Sequence, residues 1–218
     1  MVELLVVIAV ITIITAVVLF SQNQFDSSTL LRSLSYSIAL SVRQAQTYGT
    51  SVRYSGGSPV GDFSQSYGIY YDYGDLSLSP PRYFLFQDYN GNGAYDAGEG
   101  LPAYILPRGY IISKVCGITP SGQDCWLYGG SGALTYVTIY FQRPNPDACI
   151  ETSLHPSDCA PGSSAQDYSA AYLQVKPSGT APCKSDGGTQ DCRAVKVSTT
   201  GQITVCELNA VPGGTIPC

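Results

Sequence analysis

Met1-Val2-Glu3-Leu4-Leu5-Val6-Val7-Ile8-Ala9-Val10-Ile11-Thr12-Ile13-Ile14-Thr15-Ala16-Val17-Val18-Leu19-Phe20 opens the chain, and Leu, Ile and Val dominate it. No charge follows Glu3 within this run. As a helix the uncharged part would be about 26 Å long at roughly 1.5 Å per residue, just short of the hydrocarbon core of a bilayer. Membrane anchors and signal peptides normally carry positive residues at their start. Here a lone carboxylate, Glu3, stands at the mouth of the apolar run, which is costly unless a cation meets it. A single-pass anchor or an uncleaved signal segment is the plainer reading, but neither has a use for Glu3.

Between residues 29 and 49 the apolar residues Leu31, Leu34, Ile38, Val42 and Ala45 recur every three or four positions. They make one stripe of an amphipathic helix. Its other face carries Arg32, Ser33, Arg43, Gln44 and Gln46. This helix is expected to continue the apolar run, with a local irregularity at Asp26-Ser27-Ser28 and a stop at Gly49.

After Ser55-Gly56-Gly57-Ser58-Pro59 the period becomes that of strands. Strands are predicted at 67–73, 82–87, 103–106, 110–115, 134–141, 170–175, 194–197 and 202–205. Thr199-Thr200-Gly201 is a hairpin-turn signal between the last two. A helix followed by strands spells α+β, a long N-terminal α-helix packed on a mostly antiparallel β-sheet.

Composition narrows the function. The 218 residues are 44% hydrophobic and only 12% charged, with seventeen Tyr and twenty-three Gly. That is enough apolar material for one domain with a real core. A net charge of −5 and a pI near 4.6 argue against binding a phosphate backbone. Eight Cys and a single Met fit an oxidising, extracytoplasmic setting.

The run Met1-Val2-Glu3-Leu4-Leu5-Val6-Val7-Ile8-Ala9-Val10-Ile11 resembles the N-terminal helix of type IV pilins and type II secretion pseudopilins. In that family the mature chain begins with an N-methylated residue, often Phe, and the Glu stands fifth. The resemblance implies that Glu3 is the family glutamate, which pairs with the N-terminal ammonium of a neighbouring subunit during assembly. It also implies that the chain begins two residues inside the mature protein, since only two residues precede Glu3. Ile38-Ala39-Leu40-Ser41-Val42-Arg43-Gln44-Ala45, then Ser51-Val52, is similar to the H-type (GspH/FimT-like) branch. Tyr136-Val137-Thr138-Ile139-Tyr140-Phe141-Gln142-Arg143-Pro144 and Ala194-Val195-Lys196-Val197-Ser198-Thr199-Thr200-Gly201-Gln202-Ile203 resemble the last strands of that branch's sheet. The implied organisation, a type IV pilin fold, has three parts. Residues 1–20 are a transmembrane or filament-core helix, 21–52 its amphipathic continuation, and 53–218 a disulfide-stapled β-rich globule.

Within the globule, Asp88-Tyr89-Asn90-Gly91-Asn92-Gly93-Ala94-Tyr95-Asp96-Ala97-Gly98-Glu99 matches the twelve-residue calcium loop at each diagnostic position. Asp88, Asn90 and Asn92 offer side-chain oxygens at positions one, three and five. Gly93 makes the sharp turn, Ala94 offers its carbonyl, Asp96 acts through water, and Glu99 is the bidentate carboxylate at the end. With three carboxylates, Ca2+ would bind weakly, on the order of 0.1–1 mM, and would brace the loop structurally. The alternative is an Asn-Gly-rich turn whose acids are merely solvated.

The cysteines form four successive near pairs: Cys116 and Cys125, Cys149 and Cys159, Cys183 and Cys192, Cys206 and Cys218. Many connectivities are open to eight cysteines, and neighbour pairing is expected because each interval is rich in Gly, Pro, Ser and Asp. Each closed loop of about ten residues would contribute roughly 2–3 kcal/mol in the chain-entropy model. Zinc is the rival, but no Cys-x-x-Cys occurs and His155 is the only histidine.

Catalysis is not expected. His155 lies near Asp147 and Asp158 in sequence, yet no nucleophile elbow accompanies it, so it reads as a surface histidine. Trp126 and the tyrosines Tyr67, Tyr70, Tyr71 and Tyr73 could form an adhesive face, although sheet core is the commoner use.

The resemblance implies a structural subunit that polymerises through its N-terminal helix into a type IV pilus or pilus-like filament, serving adhesion, motility or attachment. The expected partners are identical subunits in a helical filament, the cytoplasmic membrane before assembly, and the assembly machinery, with no nucleic acid. The alternatives are a minor H-type pseudopilin of a type II secretion system and a competence-type minor pilin that grips DNA, which the acidic pI disfavours.

Overall fold

The computed structural model describes residues 2–51, 65–72, 82–107, 109–127, 132–156, 167–179 and 181–208, with the backbone alone at 20–26, 72 and 102. Tyr73, Asp158, Cys159, Cys218 and the boundary expected at 52/53 lie outside these residues. A single helix, α1 (Val2–Thr50), holds both the apolar run and the amphipathic stretch. It passes through Asp26-Ser27-Ser28 without the expected break, and at about 1.5 Å per residue it is some 74 Å long. Propensity at three residues is a weak term against the cooperativity of the turns on either side.

Among the described residues ten strands follow: β1 (Tyr67–Asp72), β2 (Arg82–Gln87), β3 (Gly100–Ile105), β4 (Tyr110–Thr119), β5 (Gly122–Leu127), β6 (Tyr136–Phe141), β7 (Ala148–Thr152), β8 (Ala170–Pro177), β9 (Arg193–Ser198) and β10 (Ile203–Glu207). They form two five-stranded antiparallel sheets, in the orders β3-β2-β1-β6-β7 and β10-β9-β8-β4-β5. The expected single sheet is therefore two. β5 and β7 are additions to the predicted strands, and both run through stretches read as cysteine loops. The β9–β10 hairpin is as predicted, closed by Gly201 N–H to the Ser198 carbonyl at 2.9 Å, with Gly201 at φ +77°.

The helix stripe and the inner faces of both sheets make one core. Leu31, Ile38, Val42 and Ala45 pack with Ile69, Leu85, Val137 and Ile139 of the first sheet and Val115, Leu173, Val175 and Val195 of the second. Leu34 is partly buried against the same cluster. Polar bonds also tie the helix to the sheets. Ser41 Oγ and Tyr83 Oη share a hydrogen bond of 2.8 Å, and Tyr110 Oη donates to the Ser27 carbonyl at 3.0 Å. Gln46, expected on the polar face, is buried instead. Its Nε2 donates to the carbonyls of Pro146 and Gly201, both at 2.9 Å.

Cys116–Cys125 and Cys183–Cys192 are disulfides, as neighbour pairing required. Cys149 and Cys206 are disulfide-bonded as well. A sulfur in a disulfide offers no thiolate, so none of these six can serve zinc.

Ile38→Ala should lower stability by about 2–5 kcal/mol through the cavity it leaves, whereas Leu40→Ala, 68% exposed on the same helix, should change it by no more than about 0.5 kcal/mol. Guanidinium denaturation of the full chain in detergent micelles measures both.

Candidate functional site

Two features stand apart from ordinary core and surface: the N-terminal half of α1 and the loop between β2 and β3. Residues Val2–Leu19 have a mean hydropathy of 3.0 and none is buried. By length and composition this segment could cross a membrane. Exposed apolar side chains surround it on every side, from Leu4, Leu5 and Val6 to Val17, Val18 and Leu19. A helix that is hydrophobic all round is one that something else buries. Glu3 lies exposed in its first turn, where a carboxylate complements the helix dipole.

The loop 88–99 joins two antiparallel strands, and Gln87 N–H to the Glu99 carbonyl at 3.1 Å closes its base. Gly91 and Gly93 take φ of +76° and +77°, a turn that a side chain resists. Gly93 has a second constraint: a Cβ there would lie 2.5 Å from Tyr140 Oη.

Asp88 organises the turn. It is 1% exposed. Its Oδ1 accepts the N–H groups of Gly91 at 2.7 Å and Asn92 at 3.1 Å. Its Oδ2 accepts Gly93 N–H at 2.9 Å and the Ser66 hydroxyl at 2.8 Å. Glu99 ties the other end, accepting Tyr89 N–H at 2.8 Å on Oε1 and Asp96 N–H at 2.9 Å on Oε2. Between them the side chains at positions three, five and nine converge. Asn90 Nδ2 and Asn92 Nδ2 donate to Asp96 Oδ2 at 2.7 and 2.8 Å. The two amide oxygens meanwhile accept backbone N–H groups, Asn90 from Asn92 and Asn92 from Ala94. Among the described residues no three His, Cys, Asp or Glu side chains group to hold a metal. The convergence is one carboxylate with two amides, and an amide offers oxygen to a cation as readily as N–H to an anion.

The loop does not stand free of the sheet. Tyr95 stacks on Tyr70 with centroids 4.5 Å apart and also meets Phe84 and Phe86. Beneath it Tyr140 Oη donates to Oε1 of Glu151 at 3.3 Å, and Glu151 is 3% exposed. Burial, with the charges of Glu151 and Asp88, pushes the Tyr140 phenol well above its ordinary range. The sequence reading missed Ser66, Tyr95, Tyr140 and Glu151. Period-two alternation in β6 signals that Tyr136, Thr138 and Tyr140 share a face; the contact with Glu151 needs the β6–β7 register, which pairs Tyr140 with Cys149.

The aromatic residues are divided. Tyr67, Tyr71 and Trp126 are buried and Tyr70 is half-buried under the loop, so they make no open adhesive face. His155 pairs with Asp167, Nδ1 to Oδ2 at 2.6 Å, and its ring meets Tyr168 edge-on.

Compared with protein-family models, with curated proteins and with solved structures, the chain shows no match.

Asp88→Ala should cost about 1–3 kcal/mol by leaving buried donors unsatisfied. The expected signature is faster amide hydrogen exchange at Gly91, Asn92 and Gly93, with protection in β8 unchanged, read by mass spectrometry.

Proposed function

We propose that the chain is a structural subunit that assembles through α1 into a type IV pilus or pilus-like extracellular filament. The observation that carries the reading is the exposed apolar surface of the helix, which extends further than a membrane can cover. Leu30 and Leu40 are 55% and 68% exposed on the outer face of the half packed against the globule. At about 1.5 Å per residue, Leu40 lies some 30 Å along the axis from Leu19. Lipid that covers Val2–Leu19 does not reach it. Packing against copies of the same helix buries both stretches, and a repeated contact that does not close builds a filament.

In this reading the subunit waits in the cytoplasmic membrane, then moves into a filament core made of residues 4–20 of many copies. Glu3 guides docking by meeting a cationic group of the neighbour, which removes the cost of its carboxylate in an apolar setting. The globule, stapled by short disulfides, forms the outer surface. Loop 88–99 supports Ca2+, held by Asp88, Asn90, Asn92, Asp96, Glu99 and the Ala94 carbonyl. The convergence of the Asn90 and Asn92 amides on Asp96 would fit the ion once each amide turns its oxygen inward. The bound ion would supply charge to brace the loop and no chemistry.

Glu3→Ala should leave the subunit membrane-inserted while filament yield falls at least tenfold; normal yield sinks the docking role. Electron cryomicroscopy and mass spectrometry of sheared surface filaments decide the subunit's rank. This chain as the repeating density supports a pilin, and its absence from abundant filaments transfers it to a minor pseudopilin. Calorimetry of the full chain in detergent should give a calcium heat near 0.1–1 mM that Glu99→Ala abolishes. No heat at millimolar calcium would remove the ion from the account.

A further inference from the structure

A pocket of about 590 Å³ opens on the outer face of the second sheet, away from α1. That volume suits one small molecule. β4 and β8 supply its floor, and the segment leading into the Cys183–Cys192 bridge supplies a wall. Two lysines line it, one from each strand. Lys176, 9% exposed, spends two of its three N–H donors on the carbonyls of Gly179 at 3.1 Å and Ala181 at 2.9 Å.

Lys114 is the unusual one. Its side chain is 14% exposed, yet among the described residues its ammonium makes no hydrogen bond. The nearest anion, Asp186 Oδ1, is 3.7 Å away, beyond hydrogen-bonding range. Gln174 keeps that carboxylate in place. It is buried, and its Nε2 donates to Asp186 Oδ2 at 3.2 Å and to Ser185 Oγ at 3.3 Å. Its Oε1 accepts the Ser113 hydroxyl at 2.9 Å. Both amide N–H groups are thereby used, and the one on Oδ2 fixes Asp186 at a distance from Lys114.

Two ammonium groups against one carboxylate leave a single positive charge in a partly dry site. A desolvated charge is stabilised by an anion that reaches it directly. One surplus charge matches a monoanion better than a phosphate dianion. Asp186 retains acceptor capacity for hydroxyl groups, and Leu127 and Pro182 give the pocket apolar edges.

We propose that this pocket binds a small carboxylate-bearing polyol of the acidic-sugar class, its carboxylate on Lys114 and its hydroxyls on Asp186. The proposal is independent of the filament reading.

The test uses the full chain in an uncharged, sugar-free detergent, titrated with glucuronate and followed by amide chemical shifts. We expect saturable shifts at Ser113, Lys114, Gln174 and Asp186 with a dissociation constant on the order of 1 mM, weakening as salt is raised. Glucose should bind at least tenfold more weakly, as should glucuronate to a folded Lys114→Gln variant. Absence of saturable shifts, equal binding of glucose, tighter binding of inorganic phosphate, or an unchanged response in Lys114→Gln would each overturn the assignment. The glucose and phosphate arms use the unaltered chain, so they decide the matter even if the variant does not fold.

Discussion

One continuous helix has to satisfy two environments, and the rest of the molecule follows from that constraint. In its C-terminal half the stripe from Leu31 to Ala45 is buried against both sheets at once. A helix about 10 Å across cannot be enclosed by one flat face. Two sheets that share it as a common wall can bury the stripe while leaving Leu30, Tyr36 and Leu40 uncovered on the far side. Among the described residues Val2–Leu19 has no such wall, and it stays exposed along its whole length.

Each sheet is then left with an outer face, and the chain covers each by its own device. Tyr95 folds loop 88–99 down on Tyr70, Phe84 and Phe86 of the first. On the second, the Cys183–Cys192 segment helps form a small separate cluster with Cys116, Tyr172, Ala194 and Leu208. This double coverage explains why β7 is buried at every position and β8 at all but its last. Strands covered on both faces lose the simple alternation of a half-exposed sheet.

That loss is also why part of the fold was illegible in the sequence. The helix stripe repeats with one period over many turns and reads directly. The aromatic-rich strands, β1, β2 and β6, read nearly as well. β5 carries Gly122, Gln123 and Asp124, and β7 follows two prolines, Pro144 and Pro146; locally both look like turns. They become strands because β4 and β6 offer open edges to them. The division into two sheets is a matter of long-range pairing, which no window of residues contains. Gln46 has the composition of a surface residue and the position of a buried one, because the carbonyls of Pro146 and Gly201 await it across the fold. In the loop, the ends Asp88 and Glu99 and the turn glycine Gly93 were legible from spacing. Its attachment through Tyr95, Tyr140 and Ser66 was not, since each of those contacts joins the loop to residues distant in the sequence.

The two disulfides seen in full each close a sequence separation of only nine residues. Bridges this short do little to join distant parts of the globule. Their effect shows when the chain is pulled. A released stretch of nine residues would lengthen to roughly 30 Å at about 3.4 Å per residue, but a bridged one stays near the 4.1 or 5.7 Å between its Cα atoms. Each bridge therefore withholds roughly 25 Å of slack, so a globule under tension has less contour to give up before load reaches its neighbours.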